Sequence, residues 1–209
     1  LDGFRVQIHR KKDEINLFTR KLENVTKQFP DVVKIVKECV MSKEVILDSE
    51  VVGINLENGR MLPFQDISQR IKRKHGIEAI IKKLPVEIYV FDVIELNGED
   101  VINTPLEERR KKLKAIIKPK TNKLQLIDQL VTSDLKKAEK YYQDCLDKGL
   151  EGVMMKKVGS IYKPGRRVGD GVKVKPVMEA LDLVIVAAEW GEGKRAKWLS
   201  SFTVACQNG

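Results

Sequence analysis

Glu44-Val45-Ile46-Leu47-Asp48-Ser49-Glu50-Val51-Val52-Gly53-Ile54 is an apolar, β-branched run, and Asn58-Gly59 soon after it signals a tight hairpin turn. This strand is buried in character, yet it carries Asp48 and Glu50. Unpaired buried carboxylates are costly, so both acids need partners. Upstream, residues 5–9 and 14–19 alternate polar and apolar, and Lys11-Lys12-Asp13 joins them as a hairpin. A helix is predicted after Phe29-Pro30-Asp31, with Val32, Ile35, Val36 and Val40 at helical spacing. Downstream, residues 67–74 and 77–84 read as basic helices, and Val86–Leu96 as the strongest strand, ended by a second turn at Asn97-Gly98. Thr104-Pro105-Leu106-Glu107 has the pattern of a capping box, with Pro at the first helical position and a helix running to about Ile117. Another helix is expected from Ser133 to a glycine cap at Gly149. Strands at 152–156 and 172–174 follow.

Hairpins thus alternate irregularly with helices, without regular βαβ units. That pattern implies an α+β fold, antiparallel sheets flanked by helices, rather than a Rossmann fold. After Pro176 the character changes to strands at 181–188 and 202–205 around a glycine-and-charge turn at 191–197. The expected division is a domain over 1–177 and the start of an all-β domain over 178–209. Leu1 is not Met, and Gly209 directly follows a strand-like run, so both ends are expected to lie inside a longer protein.

Among 209 residues, Lys and Arg number 39 against 30 for Asp and Glu, a net charge of +9. Two readings fit that excess: a polyanionic partner, or a heat-adapted surface rich in Lys and Glu. Cys39, Cys145 and Cys206 are far apart and odd in number, which argues against a disulfide framework or zinc site and for a reducing interior. No run approaches the ~18 apolar residues of a membrane span, and no signal peptide is visible. An intracellular protein without membrane association is expected.

Several features could carry chemistry. Asp2-Gly3-x-Arg5 sets an acid, a flexible residue and a cation before a strand, though a plain turn is the simpler reading of it. Asp48 and Glu50 are candidates for function or for a structural salt bridge. Glu151 begins a strand and is either functional or a solvated edge residue. Lys173 and Lys175 share one face of a strand; like charges repel, so an anion between them explains the pair, as would an edge guarded by lysines. Arg166-Arg167 lies in a compact basic turn, Tyr162-Lys163-Pro164-Gly165-Arg166-Arg167.

Taken in order, these elements resemble the covalent nucleotidyltransferases, which comprise DNA ligases, RNA ligases and mRNA-capping enzymes. Leu1-Asp2-Gly3-Phe4-Arg5 resembles the family's first motif, Lys-x-Asp-Gly-x-Arg, without its lysine. Phe18-Thr19-Arg20, Asp48-Ser49-Glu50, Val90-Phe91-Asp92, Leu150-Glu151-Gly152 with Lys156, and Lys173-Val174-Lys175 resemble the motifs that follow. Pro63-Phe64-Gln65, Pro105-Leu106-Glu107-Glu108-Arg109-Arg110, the Tyr162 turn and Ala188-Glu189-Trp190-Gly191-Glu192-Gly193 are similar to ATP-dependent DNA ligases of the archaeal and eukaryotic type. Two positions depart from the pattern: Ser49 stands where glycine is usual, and Val168-Gly169-Asp170-Gly171-Val172 lacks a tryptophan often found there.

The resemblance implies an adenylation domain followed by an OB-fold β-barrel beginning near Met178. It also implies a nucleophilic lysine immediately before Leu1. By the same resemblance, Asp2, Arg5, Lys173 and Lys175 serve catalysis, and Arg5, Arg20, Glu50, Phe91, Lys173 and Lys175 bind the nucleotide. Phe91 would stack on adenine, Glu50 would accept from the ribose hydroxyls, and Glu151 would hold Mg²⁺. ATP is the expected AMP donor and nicked duplex DNA the expected substrate. A sliding clamp is a candidate partner, and a monomer is expected. The basic segments around Arg70 and Arg73, Arg109-Arg110-Lys111-Lys112, and Arg166-Arg167 are candidate contacts to DNA phosphates; a solvated helix face is the alternative. An RNA ligase, a capping enzyme or a non-catalytic binding fragment remain the competing readings.

Overall fold

The computed structural model describes residues 1–165, 170–177 and 181–206. Strand β1 (Phe4–Lys11) and β2 (Glu14–Thr19) form the first hairpin, with Val6 opposite Thr19 and Lys11 opposite Glu14. Period-two alternation puts Phe4, Val6, Ile8, Ile15 and Leu17 on the buried side and leaves Arg5, Gln7, His9, Asn16 and Phe18 on the more open one. β3 (Glu44–Ile54) pairs with the other edge of β1, so that Arg5 faces Glu50 and Gln7 faces Asp48. After the short β4 (Met61–Leu62), β5 (Val86–Leu96) pairs with β3 and β6 (Glu99–Asp100) with β5. Asn97 and Gly98 both take positive φ, 54° and 82°, the conformation a two-residue hairpin turn requires.

One pairing departs from the antiparallel pattern: β7 (Leu124–Leu126) runs parallel to β5. The chain between them contains α4 (Leu106–Ile116), and a helical crossover is what lets two strands pair parallel.

Helix α1 (Pro30–Cys39) buries Val32, Ile35, Val36 and Cys39 in one core with Phe4, Val6, Ile8 and Leu17. Helix α2 (Phe64–Ile71) starts three residues earlier than the sequence pattern indicated, directly after Pro63, and α3 (Ile77–Lys83) follows. The capping box predicted at α4 does not form. Pro105 takes the cap position, and Glu107 instead accepts a hydrogen bond from the Gly159 backbone N–H at 2.9 Å. Helix α5 (Leu135–Asp147) is capped by the Asp134 carboxylate rather than by Ser133. Gly149, at φ 75°, ends it as predicted, with its N–H bonded to the Leu146 carbonyl and the Leu150 N–H to that of Cys145.

The short sheet of β8 (Val153–Lys156) and β9 (Gly171–Val174) completes the unit Leu1–Lys175. The second unit, Pro176–Gly209, contains β10 (Val184–Trp190) and β11 (Leu199–Ala205), paired antiparallel, with Ile185, Trp190, Phe202 and Val204 exposed. Among the described residues no helix is long and apolar enough to cross a membrane, and all three cysteines are free thiols.

Two of the basic positions assigned to DNA are structural instead. Arg70 has no exposed surface; it follows Ile67 on the buried face of α2, pairs with both Asp31 oxygens at 2.6 and 3.0 Å, donates to the Leu84 carbonyl at 2.9 Å and lies 4.4 Å over the Phe29 ring. Arg109 is equally enclosed. Leu106, Arg109 and Leu113 line one face of α4, and Arg109 grips Asp92 through Nε–Oδ1 at 2.7 Å and a second bond at 3.1 Å. Its neighbour Arg110 is half-buried and donates to the Ile127 carbonyl. Arg73 remains exposed, whereas Arg166 and Arg167 lie outside the described residues, as do Val168 and Gly169.

Removing Arg109 strips the buried Asp92 carboxylate of its two-point bond and leaves only the looser Lys156 ammonium, 3.6 Å away, to balance it. Arg109→Ala is therefore expected to lower unfolding free energy by ~3–5 kcal/mol in urea denaturation, and the double change Asp92→Leu with Arg109→Met to recover most of it. An Arg109→Ala variant as stable as the parent would contradict the buried pair.

Candidate active site

The two-stranded sheet of β8 and β9 carries a cluster of charged side chains. β9 presents Lys173 and leads into Lys175, while Glu151 sits just before β8. The Glu151 carboxylate receives a hydrogen bond from Lys175 Nζ at 2.9 Å and has Lys173 Nζ at 3.6 Å. The anion that the like-charged pair called for is thus, in this structure, Glu151 itself. The Lys175 hydrogen bond, with Lys173 nearby, holds the Glu151 carboxyl below the usual carboxylate range, and Glu151 in turn raises Lys175. Gly152 makes the approach possible. It has φ 123°, and a Cβ there would meet the Val174 carbonyl oxygen at 2.1 Å.

The main sheet supplies the other half. Arg5 on β1 makes a two-point pair with Asp48 on β3, Nε–Oδ1 at 2.7 Å and Nη2–Oδ2 at 2.6 Å. Burial pushes Asp48 upward and the Arg5 pair pulls it back. Two residues along the same face, Glu50 is half-buried opposite Arg5, and burial raises its carboxyl to about 7 against the pull of Lys173. Gly3 must be bare for this strand to run beside β3, since a Cβ would meet the Val51 carbonyl at 2.5 Å. Asp2 accepts a hydrogen bond from the Phe64 N–H at 3.0 Å, capping α2 from a distant segment. Ser49, in the place of the usual glycine, is fully buried and donates to the Val6 carbonyl at 2.8 Å, so its hydroxyl is satisfied.

Asp2, Arg5, Glu50, Glu151, Lys173 and Lys175 therefore gather in one region: Arg5 faces Glu50, Lys173 acts on Glu50, and Lys175 on Glu151 also feels Asp2. Phe91 is half-buried on β5 where the register shifts, since Asp48 faces Asp92 while Ser49 faces Val90, leaving Phe91 as the extra residue of a bulge. The Lys156 ammonium lies 5.6 Å from its ring and 3.6 Å from Asp92. Arg20 is exposed at the end of β2, next to Thr19, which faces Val6.

Sequence reasoning missed the buried bonds behind this site. In the sequence Asp92, Arg109 and Tyr162 stand inside segments that resemble the family, with nothing to pair them with one another. The spacing Leu106, Arg109, Leu113 already placed Arg109 on an apolar helix face. Nothing local gave the Tyr162 hydroxyl a partner.

Among the described residues no group of three His, Cys, Asp or Glu could hold a metal ion. Mg²⁺, however, is commonly held by one or two carboxylates together with substrate phosphates. Glu151 fits that use as a single ligand beside phosphate oxygens, once these have taken over its lysines.

The fold is that of solved DNA ligases. A mycobacterial DNA ligase D complexed with ATP aligns with a TM-score of 0.61 at 24% identity, over 97% of this chain and 59% of that one. A chlorella virus DNA ligase-adenylate aligns at 0.59 and 20% identity, over 99% and 72%. Residues 1–175 match the family model of the ATP dependent DNA ligase domain, and the chain belongs to that family. Named DNA ligases from Nanoarchaeum equitans and Thermococcus onnurineus are 55% and 46% identical to it over 98% of its length. The chain spans 36% of the length of each.

The raised Glu50 carboxyl has a definite sign. The folded state holds this proton more tightly than the unfolded chain, so Glu50 makes the fold less stable as pH rises from about 4.5 to about 7. Glu50→Gln is expected to remove that part of the slope in pH-dependent unfolding, and carbon-detected NMR to find the parent carboxyl titrating near 7. A Glu50 midpoint at the ordinary carboxylate value would refute the burial argument. Gly152→Ala must push β9 away from the Glu151 segment, so the variant is expected to unfold at a lower temperature than the parent, and an unchanged unfolding temperature would contradict the close approach.

Proposed function

We propose that this chain is the adenylyl-transfer core of an ATP-dependent DNA ligase that seals nicks in duplex DNA. The observation that carries the reading is the cluster in which Lys173 and Lys175 converge on one carboxylate beside Glu50 and Arg5, in a chain of this family. Two lysines drawn together on one solvent-accessible carboxylate form a site that an α-phosphate can take over.

In this reading the nucleophile is a lysine immediately before Leu1, the residue that would complete the first motif. Its neutral amine attacks the α-phosphorus of ATP, pyrophosphate leaves, and AMP is held as a lysine phosphoramidate. The AMP then passes to the 5′-phosphate of the nick, and the 3′-hydroxyl displaces it to close the backbone. A lysine is nucleophilic only when neutral, and the nearby ammonium groups of Lys173 and Lys175 disfavour its charged form. The same cations stabilise the charge that develops on the phosphate oxygens. Glu50 accepts from the ribose hydroxyls, Phe91 stacks on adenine, and Arg5 and Arg20 serve the phosphates of nucleotide or nick. Mg²⁺, held by Glu151 with phosphate oxygens, would add Lewis-acid neutralisation of charge there. Asp2 keeps the first motif in place through the N-terminus of α2.

Arg73 and the exposed lysines near it supply sequence-independent contacts to DNA phosphates, as do Arg166 and Arg167 in this reading, which suits an enzyme that must accept any nick. The ribbon of β10 and β11 is the start of an OB-fold barrel. The protein acts as a monomer inside the cell, and a sliding clamp is its candidate partner.

The test is sealing of nicked duplexes by the full-length protein. Nicked DNA with ATP is expected to be joined, and nicked RNA or GTP to be poor substrates; the reverse preference would transfer the chain to the RNA-ligase or capping branch. Glu151→Ala is expected to abolish formation of the lysine–AMP bond, and a normal yield would remove Glu151 from the reaction. Nick affinity is expected to fall steeply with salt, and a flat salt response would refute an extended phosphate-contact surface.

A further inference from the structure

The segment between β8 and β9 is tied down far more firmly than a connection between two short strands requires. Its Ser160 carbonyl accepts from the Leu106 N–H at 2.9 Å and from Arg109 at 3.2 Å, and the Gly159 N–H bonds to Glu107. The Tyr162 N–H donates to the Ile102 carbonyl at 2.7 Å. From this anchored backbone the Tyr162 side chain reaches the centre of the main sheet. Its hydroxyl accepts from Arg5 Nη2 at 2.7 Å and donates to Asp48 Oδ2 at 3.0 Å, while its ring lies 5.9 Å from the Arg109 guanidinium. Burial pushes the phenol up to about 12, so the hydroxyl keeps its proton and stays a donor to Asp48. These contacts link residues 157 and 114 positions apart in sequence.

We infer that Tyr162 is a positioning residue for adenylyl transfer: through its hydroxyl it fixes the sheet carrying Glu151, Lys173 and Lys175 against the strands carrying Arg5 and Glu50. The two halves of the site sit on separate sheets. The β8–β9 sheet has only two strands, and isolated two-stranded sheets are marginal, so its placement must come from outside contacts. Tyr162 provides one that ends on the same Arg5–Asp48 pair that orders the first motif. It touches the neighbours of the reacting groups rather than the nucleotide. Ground-state binding through adenine and ribose should therefore survive its loss, while the alignment of the α-phosphate with the attacking amine should not. A displacement of about 1 Å at a reacting centre can cost up to ~10²-fold in rate.

The inference rests on the adenylyl-transfer reading, and the experiment separates the two. Single-turnover self-adenylylation is measured across ATP concentrations for the full-length parent, Tyr162→Phe, Tyr162→Ala and Tyr162→His, with the unfolding temperature of each. Tyr162→Phe keeps the ring over Arg109 and removes only the hydroxyl. Its maximal rate is expected to fall about tenfold or more with KM for ATP within about twofold of the parent. Tyr162→Ala is expected to be slower still, and Tyr162→His, which restores a donor, to recover part of the rate. A parent that forms no adenylate refutes the adenylyl-transfer reading itself. A parent that does, with a Tyr162→Phe variant that is merely less heat-stable, or that changes KM alone, overturns the role of Tyr162.

Discussion

The carboxylates of Asp48 and Asp92 face each other across β3 and β5, both almost wholly buried, and each is gripped at two points by an arginine. Two anions taken from water side by side lose several kcal/mol of solvation each, and their mutual repulsion adds to the cost. Only a close, two-bonded cation on each makes the arrangement tenable. That requirement dictates much of the chain path. Arg5 must come from the first strand, Arg109 from the inner face of α4, and Tyr162 from the late turn that bonds to Arg5 and Asp48 and covers Arg109.

The functional cluster grows outward from that core. Arg5, locked to Asp48, brings β1 into register so that Glu50 lies across from it. The late turn, locked through Ser160 and Tyr162, carries β8 and β9 and hence Glu151, Lys173 and Lys175. Three cations of the site are balanced by carboxylates of the same chain: Arg5 by Asp48, Lys173 and Lys175 by Glu151. Asp48 is almost wholly buried, whereas Glu151 and both lysines reach solvent.

Much of this was legible in the sequence. The alternation in β1 and β2, the long β3 and β5, the Asn97-Gly98 turn and the Gly149 cap all follow from local chemistry, and the structure places them where that chemistry predicts. The lysines at 173 and 175 pointed either to a neighbouring anion or to a guarded edge, and the structure sets Glu151 against both. What was not legible involves partners distant in the chain. The capping box at Thr104 failed because Pro105 took the cap position and Glu107 found Gly159. Arg70 and Arg109 look like surface charges in a basic run, and only the count to Ile67, Leu106 and Leu113 shows that they face inward. The parallel β7 required knowing that α4 folds back over β5. Tyr162 had no local signature, because its bonds cross more than a hundred residues.

The central claim is that these residues assemble a site that moves AMP from ATP onto a lysine next to Leu1. The most direct measurement is the intact mass of the full-length protein after incubation with ATP and a divalent cation, and again after pyrophosphate is added. The account predicts a gain of one AMP, mapped by peptide sequencing to the lysine before Leu1 and lost again with pyrophosphate. A mass unchanged by ATP, or an AMP carried on any other residue, would contradict it.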